Sequence, residues 1–110
     1  MKLGRIQRRV MEIGMVGRIA HNLAKYSVSV EGAYSETEFL FEVHAYMMDC
    51  GVKLEQINTW IETAKIQAQT EINFFLANGT FSESHGGTAV TVEVLIGPIL
   101  DELGYTNKIN

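Results

Sequence analysis

Apolar residues in the first quarter of the chain follow a helical repeat. They are spaced alternately three and four residues apart, at Leu3, Ile6, Val10, Ile13, Gly17, Ala20 and Ala24. This spacing keeps all seven positions, which we call the N-terminal seam, on one side of a helix, as in a coiled coil. The pattern therefore predicts a first helix whose seam is buried against other helices.

The letters SETE, residues 35–38, predict the start of a second helix. Ser35 caps it, Glu38 completes a capping box, and Gly51 ends the helix about four turns later. Between these ends apolar residues cover most of the circumference, and Glu38, Glu42 and Asp49 form one narrow acidic stripe. A helix this apolar is expected either at the centre of the fold or in a subunit interface.

A third helix is predicted over residues 53–77, ended by Asn78 and Gly79. Seven apolar residues form its inward seam: Leu54, Ile57, Ile61, Ala64, Ala68, Ile72 and Phe75. Four more lie off that seam and predict a second apolar surface: Trp60, Ile66, Phe74 and Leu76.

Residues 88–97 fit two structures. Every second residue from Val90 to Ile96 is apolar, which is typical of a strand, and a strand over 89–95 would pair with residues 27–31. Spacings of three and four from Val92 to Leu103 instead fit a helix bent at Pro98. We favour the helix because the rest of the chain is helical, and the short two-stranded element stays as the alternative.

Together these patterns predict a mainly α fold, a bundle of three to four helices that forms one domain over residues 1–110. The helices carry more apolar surface than one inward stripe requires. We therefore expect a homo-oligomer, for which two-fold symmetry is the commonest form. The residues predicted to line its interface are Ile6, Val10, Ile13, Phe41, His44 and Met48.

The formal net charge of −4 is divided unevenly along the chain. Residues 1–25 hold six basic residues and one acid, a net +5, whereas the other 85 residues hold three lysines and twelve acids, a net −9. Arg5, Arg8, Arg9 and Arg18 are therefore candidate contacts for an acidic partner or for phosphate, with nucleic acid as one such partner. A membrane is not expected, because the bundle should bury the apolar seam that insertion needs.

A pairing of these charges with the protein's own acids is favoured over nucleic acid. Arg5 and Arg9 are four residues apart, and so are Glu38 and Glu42. Each pair forms one stripe on its helix, so the two stripes can face each other within one subunit or between two. Exposed pairs of this kind contribute about 0–1 kcal/mol each, yet they select partner and orientation.

Residues 47–62, MMDCGVKLEQINTWIE, resemble a helix-turn-helix DNA-binding motif, with Gly51 at the turn and Ile57 and Trp60 facing inward. The resemblance implies the alternative function, a DNA-binding regulator that uses the turn at 46–60 and takes phosphate contacts from the basic first helix. Met47 stands where the motif usually has a small residue. Residues 36–62 also hold six acids and one lysine, and this net −5 opposes binding to a phosphate backbone.

The letters HNLAK, residues 21–25, are similar to the histidine-Xaa-Leu-Lys-Gly signature of phosphotransfer domains, which are four-helix bundles. This resemblance implies that His21 accepts a phosphoryl group at the surface, steadied by Lys25. The lysine stands one position late and the glycine is absent, so an ordinary surface histidine is preferred.

Residues 84–90, SHGGTAV, form the candidate for a small-anion site. If Thr88 begins a helix, the amides of Gly86, Gly87 and Thr88 point from its positive end, and His85 can add a proton. The same residues also suit an ordinary loop that enters a helix, and we prefer that interpretation.

Other chemistry has little support. Cys50 lies beside Asp49 in an apolar helix, where the pKa of a thiol is raised, and no spacing of histidines and cysteines suits a metal. No cofactor is expected, and an enzyme is less favoured than a binding protein. A single cysteine and the lack of about 18 consecutive apolar residues predict a cytoplasmic location. The favoured function is a small non-enzymatic protein that self-associates and binds another macromolecule or a small anion.

Overall fold

The computed structural model describes residues 3–28, 35–81 and 91–107, and these residues contain four α-helices and no strand. The helices are α1 (Arg5–Val28), α2 (Glu36–Asp49), α3 (Leu54–Asn78) and α4 (Val92–Glu102). The prediction of a mainly α, bundle-like fold is therefore confirmed.

The arrangement is centred on α1 and α2, each of which contacts all the other helices, whereas the described residues of α3 and α4 do not touch each other. Side-chain contacts join Glu12 to Trp60 and His21 to Glu71, so α1 and α3 run in the same direction. These two long helices form the main packed pair of the fold.

Both ends of α2 lie where the local sequence predicts them. The Ser35 hydroxyl accepts a hydrogen bond of 3.1 Å from the backbone N–H three residues later, so Ser35 is the N-cap. At the other end, Gly51 adopts a left-handed conformation (φ 87°), and the Val52 N–H donates to the Met47 carbonyl oxygen. This is a Schellman motif, in which glycine is favoured because other residues rarely adopt positive φ.

The helix predicted over residues 92–103 is α4, and the strand alternative is not supported. Residues 27–28 belong to the last turn of α1, and α4 already begins at Val92. Helical spacing places Val92, Leu95 and Ile96 on one buried face, which explains why the helix is formed. Of the two proposed strand segments, residues 29–31 and 89–90 lie outside the described residues.

The C-terminal half of α1 is the most deeply buried part of the chain that the structure describes. From Met15 to Ala24 every residue is buried except Arg18. The N-terminal seam is accordingly buried at Gly17, Ala20 and Ala24.

The first half of the N-terminal seam is not buried, contrary to prediction, because Ile6, Val10 and Ile13 are exposed. The cause is the length and position of α2. This helix has 14 residues, about 21 Å, and it starts beside the end of α1, where the Tyr26 ring packs against Phe39. It therefore covers the C-terminal half of α1 and leaves the N-terminal half open.

The predicted central position of α2 is found only in part, because α2 contacts all three other helices but buries only one of its sides. Phe39, Val43 and Met47 are buried on one side of α2, while Phe41 and Met48 are exposed on the other. The alternative of an interface helix stays a prediction.

The predicted second apolar surface of α3 is found at three of its four residues. Ile66, Phe74 and Leu76 are exposed, whereas Trp60 is buried against α1.

Candidate interaction surface

The N-terminal half of α1 presents apolar side chains to solvent. Ile6, Val10 and Ile13 are exposed by 79%, 62% and 53%, and their spacing places them along one line of the helix. Arg5 and Arg9 are exposed on the same two turns. We call these five residues the basic face. Single exposed apolar residues are common, but a contiguous set bordered by charge is typical of an interaction site.

Two of the four candidate arginines are engaged within the fold. Arg8 Nη1 donates to the Leu103 carbonyl oxygen at 2.7 Å, and the Arg8 guanidinium lies 5.7 Å from the centre of the Tyr105 ring. Arg18 Nη1 donates to the Leu95 carbonyl oxygen at 3.3 Å. The order of these contacts makes α4 antiparallel to α1. Both arginines thus fasten α4 and the residues that follow it to the central helix.

Arg5 and Arg9 make no ion pair with any residue that the structure describes. The geometry excludes their pairing with Glu38 and Glu42 within one subunit. The reason is that α2 begins beside Ser27, which is 18 residues, or about 27 Å, further along α1 than Arg9. If the two stripes pair, they do so between subunits.

A second exposed apolar patch lies on α2. Phe41 and Met48 are exposed by 72% and 55%, and the half-buried His44 lies on the turn between them. Glu38 and Glu42 are exposed one turn apart on the same helix. We call these five residues the acidic face. All six residues predicted to form an oligomer interface thus belong to the basic or the acidic face.

His21 is not a surface residue, so both sequence-based interpretations of it are wrong. Its side chain is 6% exposed, and Nδ1 lies 2.6 Å from Glu71 Oε1 on α3. The edge of the Phe81 ring packs on the imidazole, with 5.5 Å between the ring centres. A phosphoacceptor must be reachable by the donor, so the burial of His21 argues against phosphotransfer at this position. The burial depends on residues distant in the sequence, among them Glu71, 50 residues away.

The turn between α2 and α3 has the inward residues of the motif that it resembles. Cys50, Ile57 and Trp60 are buried there, and Met47, at the position usually held by a small residue, is completely buried. After this loop, the outer side of the first two turns of α3 is exposed and includes Leu54, Glu55, Asn58 and Thr59. An acidic and apolar outer side gives little attraction for a phosphate backbone.

The buried Cys50 and the half-buried Tyr46 form a polar contact near the end of α2. Burial raises the pKa of the Cys50 thiol, and nearby acids add to this, although a hydrogen bond with Tyr46 acts in the opposite direction. Burial, and then the proximity of Cys50, raises the pKa of Tyr46 to about 12. The predicted raised thiol pKa is confirmed, and a nucleophilic role for Cys50 has no support.

No family model, no curated protein and no solved structure matches this chain. Among the described residues, no cluster of three or more histidine, cysteine or carboxylate side chains is arranged to hold a metal ion. The described helices also include none whose length and hydropathy would let it cross a bilayer.

The proposed anion site falls outside the described residues, which include none of His85, Gly86, Gly87 and Thr88. The start of α4 is described. Thr91 has an extended backbone, and its hydroxyl accepts a hydrogen bond of 3.1 Å from the Val94 N–H, so Thr91 is the N-cap. The helix that was expected to follow the glycines therefore begins at Val92, and the anion site stays a prediction.

A groove between α1 and α3 was not predicted. It has a volume of about 420 Å³, and Val16 and Trp60 form its apolar floor. Trp60 Nε1 donates to Glu12 Oε1 at 3.2 Å, and Glu12 Oε2 lies 3.8 Å from Arg8 Nε. No local pattern marks the groove, because Glu12 and Trp60 are 48 residues apart. The off-seam position of Trp60 was the one available signal.

Proposed function

We propose that this chain is a non-enzymatic protein that works by self-association, with the basic face of one copy bound to the acidic face of another. The observation that carries the proposal is the basic face itself. It combines three exposed apolar side chains with two arginines that form no ion pair within the described part of the chain.

The two faces match in length and oppose each other in charge. Ile6 and Ile13 are seven residues apart, as are Phe41 and Met48, so each patch is about 10 Å long on its helix. Full burial of one large apolar side chain contributes about 1.5–3 kcal/mol, whereas an exposed ion pair contributes about 0–1 kcal/mol. The apolar residues therefore supply most of the affinity, and the charges select the orientation.

The same observations favour self-association over DNA binding. Arg8 and Arg18 already bind carbonyl oxygens of the fold, so the basic helix has fewer charges to offer to phosphate. The motif-like turn is acidic on its outer side. A single, buried cysteine supports a reducing, cytoplasmic location for the assembly.

Charge reversal tests the proposal. In sedimentation velocity, the mass of the wild-type protein should rise with concentration. Both Arg5→Glu/Arg9→Glu and Glu38→Lys/Glu42→Lys should keep the mass at that of the monomer. The protein with all four changes should assemble again, because both faces are reversed together. The matched control, Glu55→Lys/Glu62→Lys, changes two exposed acids of α3 outside both faces and should behave as wild type.

A wild-type protein that stays monomeric at every concentration would overturn the proposal, as would a fourfold variant that does not reassemble while its circular dichroism spectrum is native. If the monomer instead binds duplex DNA with a steep salt dependence that Arg5→Glu/Arg9→Glu removes, the DNA-binding alternative replaces it.

A further inference from the structure

The groove between α1 and α3 has the size and lining of a small-molecule site. Its volume of about 420 Å³ lies in the range of about 300–1,000 Å³ that is usual for such sites. The floor is apolar, since Val16 and Trp60 are buried there, and the exposed Ile13 borders it. A flat or chain-like apolar group can lie on this floor.

The groove is lined by one positive and one negative side chain, and only the positive one lacks an ion pair in the described part of the chain. Two charged residues line it, Arg9 and Glu12. Glu12 is already bound by the Trp60 indole N–H and lies beside Arg8, whereas Arg9 makes no ion pair in the described part of the chain. The guanidinium of Arg9 is thus the charged group available to a ligand, and it favours an anion.

Amide and hydroxyl groups follow one wall of the groove. Gln56, Thr63 and Gln67 lie on α3 at spacings of seven and four residues, so they form one row about 16 Å long. The Thr63 hydroxyl donates to the Thr59 carbonyl oxygen, which leaves its lone pairs available to accept. The row offers donors and acceptors beside an apolar floor, as ligand sites commonly do.

We propose that the α1–α3 groove binds a small amphipathic anion, with its apolar body on Val16 and Trp60 and its carboxylate, sulfonate or phosphate paired with Arg9. This site goes beyond the proposed self-association and does not depend on it. The two share Arg9 and Ile13, so ligand and partner copy compete for the groove.

The probe for this site is 8-anilinonaphthalene-1-sulfonate, an aromatic anion, compared with N-phenyl-1-naphthylamine, which has the same rings without the sulfonate. Trp60 is the single tryptophan of the chain, so energy transfer from it to either dye reports binding beside the floor. We expect Arg9→Gln to weaken binding of the sulfonate about tenfold or more and to leave the neutral dye unchanged. Arg5→Gln is the matched control and should change neither dye.

Two variants test whether the dye occupies the groove. Thr63→Phe and Gln67→Phe each place a ring in the groove, so both variants should lose binding of both dyes. Both positions are exposed, so both variants should fold. Ile66→Gln, at an exposed position of α3 outside the groove and outside both faces, should bind as wild type. Equal losses for Arg5→Gln and Arg9→Gln, or dye binding that survives both phenylalanine variants, would overturn the site. Neither result depends on whether the chain self-associates. The titrations of Arg9→Gln and Arg5→Gln are compared under conditions in which sedimentation velocity gives both proteins the same mass.

Discussion

His21 of α1 and Glu71 of α3 are joined by a contact of 2.6 Å between Nδ1 and Oε1, although they are 50 residues apart in the chain. Both side chains are almost completely withdrawn from solvent, with 6% and 12% exposed. Because buried polar groups are costly when they lack a partner, this pair fixes the register of the central helix against its main neighbour.

Loss of either member of this pair should destabilise the fold. We expect His21→Ala and Glu71→Ala each to lower the free energy of unfolding by about 1–3 kcal/mol, because the remaining group stays buried without its partner. In a double-mutant cycle measured by urea unfolding, the two changes should couple by about 0.5–3 kcal/mol. Glu62→Ala, at an exposed position on the same helix, should cost less than about 0.5 kcal/mol. Strictly additive losses would show that the contact contributes nothing.

Gly97 marks a close approach of α4 to α2. A Cβ atom built at Gly97 would lie 2.9 Å from Tyr46 Oη at the end of a half-buried side chain, so Gly97→Ala should force the ring to shift and destabilise the fold by about 0.5–1.5 kcal/mol. Tyr46→Phe removes that oxygen, and in this background Gly97→Ala should become neutral or stabilising. Gly14→Ala is the comparison, because nothing lies within 4 Å of its Cβ position. It should stabilise by about 0.5–1 kcal/mol. Thermal unfolding of these three single variants and the double variant, each compared with wild type, shows whether steric contact with Tyr46 causes the loss of stability.

Tyr46 should make stability fall at alkaline pH. In the unfolded chain a tyrosine loses its proton near pH 10, whereas the folded protein keeps the Tyr46 proton until about pH 12. Above pH 10 the unfolded state therefore binds fewer protons, and the free energy of unfolding decreases as the pH rises from 10 to 12. Urea unfolding across this range should show a steeper decrease for wild type than for Tyr46→Phe. Equal slopes would contradict the raised pKa.

The unfolding free energies of Arg8 and Arg5 variants should distinguish an arginine that stabilises the fold from one that is only exposed at the surface. Arg8→Gln removes the hydrogen bond to the Leu103 carbonyl oxygen and the contact with Tyr105, and should cost about 1–3 kcal/mol. Arg5→Gln should change the free energy of unfolding by less than about 0.5 kcal/mol. Partner binding should therefore be tested at Arg5 and Arg9. A change at Arg8 would lower the stability of the fold whether or not Arg8 also contacts a partner.

Local chemistry made the helix ends predictable. Ser35 and Gly51 cap α2, and Gly79 ends α3 in a left-handed conformation, because capping depends on residues only a few positions apart. The start of α4 was harder, since both Thr88 and Thr91 precede apolar residues and only packing of Val92 and Leu95 decides between them.

Long-range packing could not be predicted in the same way. The spacing of Ile6, Val10 and Ile13 is identical to that of the buried half of the seam, so nothing local reveals that α2 ends before it covers them. His21 and Trp60 depend on partners 50 and 48 residues away. Of the candidate sites, the residues of the two apolar patches could be proposed as interface residues from the surplus of apolar positions, whereas their exposure and the groove depend on how the helices pack.

The burial of α1 also has a consequence during synthesis. The ribosome makes α1 before the other three described helices, but the partners of Glu12 and His21 appear only at Trp60 and Glu71. At about 5–20 residues per second, some 50 residues take about 3–10 s to add. For that time the apolar side of the central helix that packs on α3 has no native cover on the nascent chain.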